Sequence, residues 1–101
     1  MMVTIYLPRS LVALFPGASR EVQVPAGTVG EALRELDRRW PGMWDRLCTA
    51  GPAIREHINV FVGGEKAGLE TPLPPGAAVW VIPAVSGGAS GRKAQAAGQN
   101  S

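Results

Sequence analysis

The stretch "TVGEALRELDRRWPG", residues 28–42, constrains the fold more than any other part of the chain. Thr28 and Glu31 stand at capping-box spacing, Val29, Leu33, Leu36 and Trp40 recur with a helical period, and Pro41 and Gly42 end the pattern. These signals predict one amphipathic helix. Its polar side, carrying Arg34, Glu35, Asp37 and Arg38, reads as a solvated surface. The apolar stripe needs a face to cover, and the flanking sequence must supply it.

Alternating, β-branched segments lie on both sides of the helix. "MVTIYL" from Met2 to Leu7 reads as a first strand that Pro8 interrupts, and "REVQV" as a second, with Val22 and Val24 on one face and Gln23 on the other. A long connection containing "FPGAS" joins them as a hairpin. After the helix, "MWDRLCTAG" predicts a short helical turn with Trp44 and Leu47 facing inward, broken by Gly51 and Pro52. "HINVFVGGEKAG" reads as a strand entering a hairpin at Gly63 and Gly64, and a last strand runs from about Ala78 to Val85. The order is ββαββ. A mixed sheet curling over one helix, with the first and last strands central and parallel, buries these faces most economically. That α+β architecture is the β-grasp, or ubiquitin-like, fold.

A length of 101 residues allows one small core. A single cysteine, Cys48, excludes an internal disulfide and suits a reducing compartment, so a cytoplasmic location is expected. No basic segment followed by a long apolar run opens the sequence, and no stretch reaches the roughly 18–20 apolar residues of a membrane span, so neither secretion nor membrane association is expected. Up to Gly88 eight Arg and Lys balance eight Asp and Glu, and the net charge of +2 comes from Arg92 and Lys93. Without a clustered basic face, nucleic acid is not an expected partner.

The segment "INVFVGGEKAGLETPLPPGAAVWVIPAVSGG" resembles the ThiS/MoaD family of ubiquitin-like sulfur carriers in its N-V-F-V strand, its L-x-T-P-L-x-x-G-x-x-V and its closing I-P-A-V-x-G-G. "VTIYLPRSL", "GTVGEALREL" and "REHINVFV" are similar in particular to the CysO type. The resemblance covers residues 2–88, a single carrier domain spanning 1–88. It implies that the carboxylate of Gly88 is adenylated with ATP on a ubiquitin-activating-type (MoeB/ThiF-like) adenylyltransferase. Sulfur then displaces AMP, and the thiocarboxylate passes to a sulfur-accepting synthase for cysteine, thiazole, molybdopterin or a sulfur-containing natural product. The carrier itself is then no enzyme and binds no cofactor. Ser86, Gly87 and Gly88 form the arm, whose glycines present no side chain to a narrow channel.

Gly88 is followed by "ASGRKAQAAGQNS", thirteen small and polar residues that are expected to be disordered. An internal peptide carbonyl cannot be adenylated in this way. Cleavage between Gly88 and Ala89, resembling the removal of such extensions by JAMM-type zinc metalloproteases, is therefore expected before charging. The alternative is a β-grasp interaction subunit or protein modifier that joins Gly88 to lysines.

The remaining conspicuous residues read more plainly. His57 has no companion ligands, so a metal site is not expected. Cys48 reads as core filler, and Trp40 and Trp44 as packing. If Ile58 and Val60 face the helix, Phe61 faces outward and becomes the leading partner contact, with Arg9 and Arg55 as rim charges. Trp80 is a further contact candidate, although alternation alone leaves its orientation open.

No nucleophile with a partnered base and no phosphate-binding glycine loop is present.

Overall fold

A computed structural model of the chain describes residues 2–83. In chain order it contains β1 (Met2–Tyr6), α1 (Arg9–Val12), β2 (Glu21–Pro25), α2 (Val29–Arg39), α3 (Met43–Leu47), β3 (Cys48–Thr49), β4 (Ala53–Ile54), β5 (Ile58–Val62), β6 (Glu65–Lys66) and β7 (Ala78–Pro83). Five strands form one sheet in the order β2-β1-β7-β5-β6, and β3 and β4 form a separate two-stranded ribbon. β1 and β7 are parallel, and the β1–β2, β5–β7 and β5–β6 pairs are antiparallel. This is the β-grasp expected from the alternation. The last two residues of the expected final strand, Ala84 and Val85, lie outside the described residues.

Period-two alternation puts Val3, Ile5, Val22, Val24, Val60, Val79 and Val81 on one face of the sheet, all buried. Opposite them α2 presents Val29, Ala32, Leu33 and Leu36, none of which has any solvent exposure. Full burial of a side chain such as Leu33 or Leu36 stabilises the fold by about 1.5–3 kcal/mol. The helix start follows the sequence signal. Thr28 Oγ1 accepts the Glu31 backbone N–H at 3.2 Å, while Glu31 Oε1 accepts the N–H of Gly27 at 2.7 Å, one residue earlier than the usual reciprocal bond.

The segment after β6 runs along the start of α2. Leu69 accepts the Gly30 backbone N–H at 2.8 Å, and Gly27 accepts that of Leu73 at 2.8 Å. A Cβ at position 30 would stand 3.2 Å from the Leu69 carbonyl oxygen, tighter than an ordinary van der Waals contact, so a side chain here would press on this crossing. At the β5–β6 turn, Gly63 and Gly64 both have positive φ, 61° and 83°, as a two-residue hairpin of matching twist requires.

Several local features depart from the sequence reading. The long connection between β1 and β2 contains α1, a single turn in which the Pro8 carbonyl accepts the N–H groups of Leu11 and Val12. In α3 the buried pair is Met43 and Leu47, four residues apart, and Trp44 is only half-buried. The expected inward pair of Trp44 and Leu47 is thus corrected. Trp44 sits on the flank of α3, where the Arg34 guanidinium lies 4.3 Å over its ring. Asp37 is likewise more than a solvated charge: its Oδ1 accepts the backbone N–H groups of both Gly42 and Trp44 at 3.0 Å and ties α2 to the start of α3.

Candidate functional site

The face of the sheet turned away from α2 carries the candidate site. Its central strand, β7, alternates between Val79 and Val81 in the core and Trp80 and Ile82 outside, and the latter two are 47% and 44% exposed. This settles the orientation that alternation left open. Register then builds a row across all five strands. Glu21 on β2 is opposite Tyr6 on β1, Tyr6 is opposite Trp80, Trp80 is opposite Phe61 on β5, and Phe61 is opposite Lys66 on β6. Three aromatic residues occupy the middle of the row, and one charge of each sign closes its ends.

Tyr6 and Trp80 stack with ring centroids 4.0 Å apart and 12° between the planes. Such a stack fixes the indole while leaving much of it exposed, which favours a rigid contact surface. Beyond the stack, Tyr6, Pro8, Arg20, Trp80, Ile82 and Pro83 line an open cleft of about 520 Å³. Because β1 and β7 are parallel, this cleft lies where both strands end. A second cleft, of about 490 Å³, lies between the 52–56 and 66–71 segments and includes Ile58, Val60 and Leu69.

Of the expected contacts, the structure brings Phe61 and Trp80 side by side. Arg9 is exposed on α1 and does not line the cleft beside Trp80, where the basic residue is Arg20. Arg55 is not brought to the row: its Nε donates to the Asp45 carbonyl at 2.8 Å and its backbone N–H to the Leu47 carbonyl at 2.9 Å, which ties it to α3. Ser86, Gly87, Gly88 and Ala89 lie outside the described residues, as do the arm and the tail expected from 89 to 101.

Tyr6, Arg20, Glu21 and Lys66 were not singled out from the sequence. Only the hydrogen-bonding register reveals that Tyr6 and Trp80, more than seventy residues apart, are neighbours.

The rest of the described chain offers little reactive chemistry. Cys48 is buried in the core, and burial pushes its thiol pKa up to about 11, against the partial opposing effect of Arg34 and Arg55. The described residues contain no group of three or more His, Cys, Asp or Glu residues that could hold a metal ion. No helix among them is long and apolar enough to cross a membrane.

Known proteins resemble this chain in sequence and fold. The model of the ThiS family matches residues 12–88, so its last matched residue is Gly88. Sulfur carrier protein CysO of Mycobacterium tuberculosis is 28% identical over 94 residues, covering 87% of this chain and all of the relative. Small archaeal modifier protein 3 of Haloferax volcanii is 38% identical over 65 residues, covering 60% of this chain and 70% of the relative. Among solved structures, the BexX/CysO complex of Amycolatopsis orientalis contains a chain that superposes with a TM-score of 0.74 at 29% identity, covering 85% of this chain and 99% of that one. These relatives are small carrier and modifier proteins. The chain belongs to the ThiS family, ubiquitin-like sulfur carriers of the ThiS/MoaD kind, and is similar to CysO over most of its length.

Proposed function

We propose that this protein is the precursor of a sulfur carrier whose working group is the carboxyl terminus of Gly88. The observation that carries the reading is that the family match ends on Gly88, five residues beyond the end of the central strand β7. The residues from Ala84 to Gly88 span at most about 18 Å when fully extended. Pro83, the last residue of β7, lines the cleft beside Trp80.

A protease first hydrolyses the Gly88–Ala89 peptide bond, for which a JAMM-type metalloprotease is the candidate. The freed carboxylate oxygen attacks the α-phosphorus of ATP on a MoeB/ThiF-like adenylyltransferase, and pyrophosphate leaves. A sulfur nucleophile then attacks the acyl carbon and AMP leaves, giving the thiocarboxylate that a synthase consumes. ATP is a substrate of the activating partner in this scheme. The carrier supplies a docking face, with Trp80, Phe61 and Tyr6 as its centre, and a terminus free of side chains. A partner that seats the rigid aromatic row can align the terminus with its nucleotide without depending on contacts to the glycines themselves.

A direct test compares residues 1–88, the full chain and a Gly88→Ala form of 1–88, each incubated with a family adenylyltransferase, ATP and a sulfide donor. Intact mass should show one terminal oxygen replaced by sulfur in the 1–88 protein alone. Equal charging of the full chain would refute the need for cleavage, and normal charging of Gly88→Ala would refute the role of the terminal glycine.

The relative named as an archaeal modifier favours a second reading, in which Gly88 is joined to lysine amines of other proteins. Isopeptide-linked Gly88 in peptides digested from the native host would support it.

A further inference from the structure

We infer that the outer face of the sheet is self-complementary and that two copies of this chain associate through it, face to face, about a two-fold axis running along β7. The cross-strand row runs in the order Glu21, Tyr6, Trp80, Phe61, Lys66. The row is apolar at its centre and carries opposite charges at its ends. A two-fold axis that lies in the interface and parallel to the strands reverses the row. Trp80 of one copy then meets Trp80 of the other, Tyr6 meets Phe61, and each Glu21 meets a Lys66. Charge complementarity is satisfied twice by a single operation. With strands about 4.8 Å apart, Glu21 and Lys66 lie about 19 Å from one another along the row, so neither can neutralise the other within one copy. Among the described residues the only ion pair is Arg38 with Glu35, on α2.

The edges of the sheet make the alternative mode of self-association unfavourable. On β2 the Glu21 carbonyl accepts the Ser19 hydroxyl at 3.1 Å, and the Gln23 carbonyl accepts Arg39 Nη1 at 3.0 Å. Pro25 has no N–H to offer. At the other edge, β6 is only two residues long. A second copy therefore finds few open backbone groups for adding a strand, while Trp80 and Ile82 stay accessible on the face.

Four strands of about five residues and the two-residue β6 give a face of about 350 Å². Stable complexes bury about 800 Å² on each partner, so this dimer is weak and concentration-dependent. The dimer covers Trp80, and any other partner that uses the aromatic row excludes it. This inference is independent of whether Gly88 carries sulfur.

Sedimentation velocity on the full chain from roughly 10 μM to 1 mM, concentrations suited to weak association, tests the inference. The wild type should shift from monomer to dimer across the range. Glu21→Lys alone and Lys66→Glu alone should each weaken dimerisation by about tenfold, because each places like charges together at both ends of the interface. An equimolar mixture of the two variants should form heterodimers with near wild-type affinity, since each unlike contact is then restored. Circular dichroism establishes that the variants are folded. A wild type that stays monomeric throughout, single variants that dimerise like wild type, or a mixture that fails to recover would each overturn the proposal.

Discussion

Replacing Asp37 by alanine should destabilise the fold by about 2 kcal/mol, and the structure gives the reason. A single oxygen, Oδ1, accepts the N–H groups of Gly42 and Trp44 at 3.0 Å each. These are the first donors of α3, and no earlier helical carbonyl is available to them. A hydrogen bond to a charged group contributes about 1.5–3 kcal/mol net, and a neutral one about 1 kcal/mol. Both bonds here are only partly buried, so water recovers some of the loss and the sum falls from about 3–6 to about 2 kcal/mol. For a domain of this size that corresponds to about 8–16 °C in Tm. Asp37→Asn keeps an acceptor oxygen in the same place and should lose about 1 kcal/mol or less. Urea titrations followed by tryptophan fluorescence would report both, with Trp44 adjacent to the change. An alanine variant within about 0.5 kcal/mol of wild type would refute the capping argument, that being the range of unremarkable surface substitutions. Asparagine as damaging as alanine would show that charge rather than the acceptor position matters.

Trp80→Ala should weaken binding of a family adenylyltransferase by about 2 kcal/mol or more, roughly thirtyfold, as loss of a central aromatic anchor does. Leu14→Ala, which is equally exposed but lies outside the sheet, should leave binding unchanged, and calorimetry on both distinguishes a specific face from general hydrophobicity. Gly30→Ala should destabilise by about 1 kcal/mol, although helix propensity alone would favour it by a similar amount. The Leu69 carbonyl, held by the Gly30 N–H at 2.8 Å, cannot retreat from the new methyl group; a stabilised variant in thermal melts would contradict this. Cys48 has its thiol pKa raised by burial from 9.0 to about 11, so the native state holds this proton more tightly than the unfolded chain. That contribution is complete below about pH 9 and is lost as pH rises toward 11; Cys48→Ala should flatten this part of the stability profile, and an unchanged profile would argue against it.

The elements with a clean period were legible in the sequence. Val22 and Val24 around Gln23, and Val29, Leu33 and Leu36 behind a Thr28 cap, encode their faces within a few residues. The ββαββ order then left few ways to bury them. α1 was not legible, because four residues after a proline with one buried side chain, Leu11, give no period to detect. Asp37 and Arg34 read as solvated charges because their partners, the N–H groups of α3 and the ring of Trp44, belong to a different element. Phe61 and Trp80 were identifiable as candidate contacts from alternation and family resemblance. The row that joins them to Tyr6, Glu21 and Lys66 was not, since register between distant strands is set by the packed sheet and not by local pattern. Arg55 shows the converse: its place beside a strand gives no sign of the Asp45 carbonyl that it binds.

The central claim is that Gly88 becomes a terminus and carries sulfur. Intact mass spectrometry of the protein recovered from its native host tests it most directly. The account predicts a chain that ends at Gly88, part of it with sulfur in place of one terminal oxygen. A population that retains Ala89 through Ser101 and has no sulfur added, under conditions in which the host is making its sulfur metabolites, would contradict it.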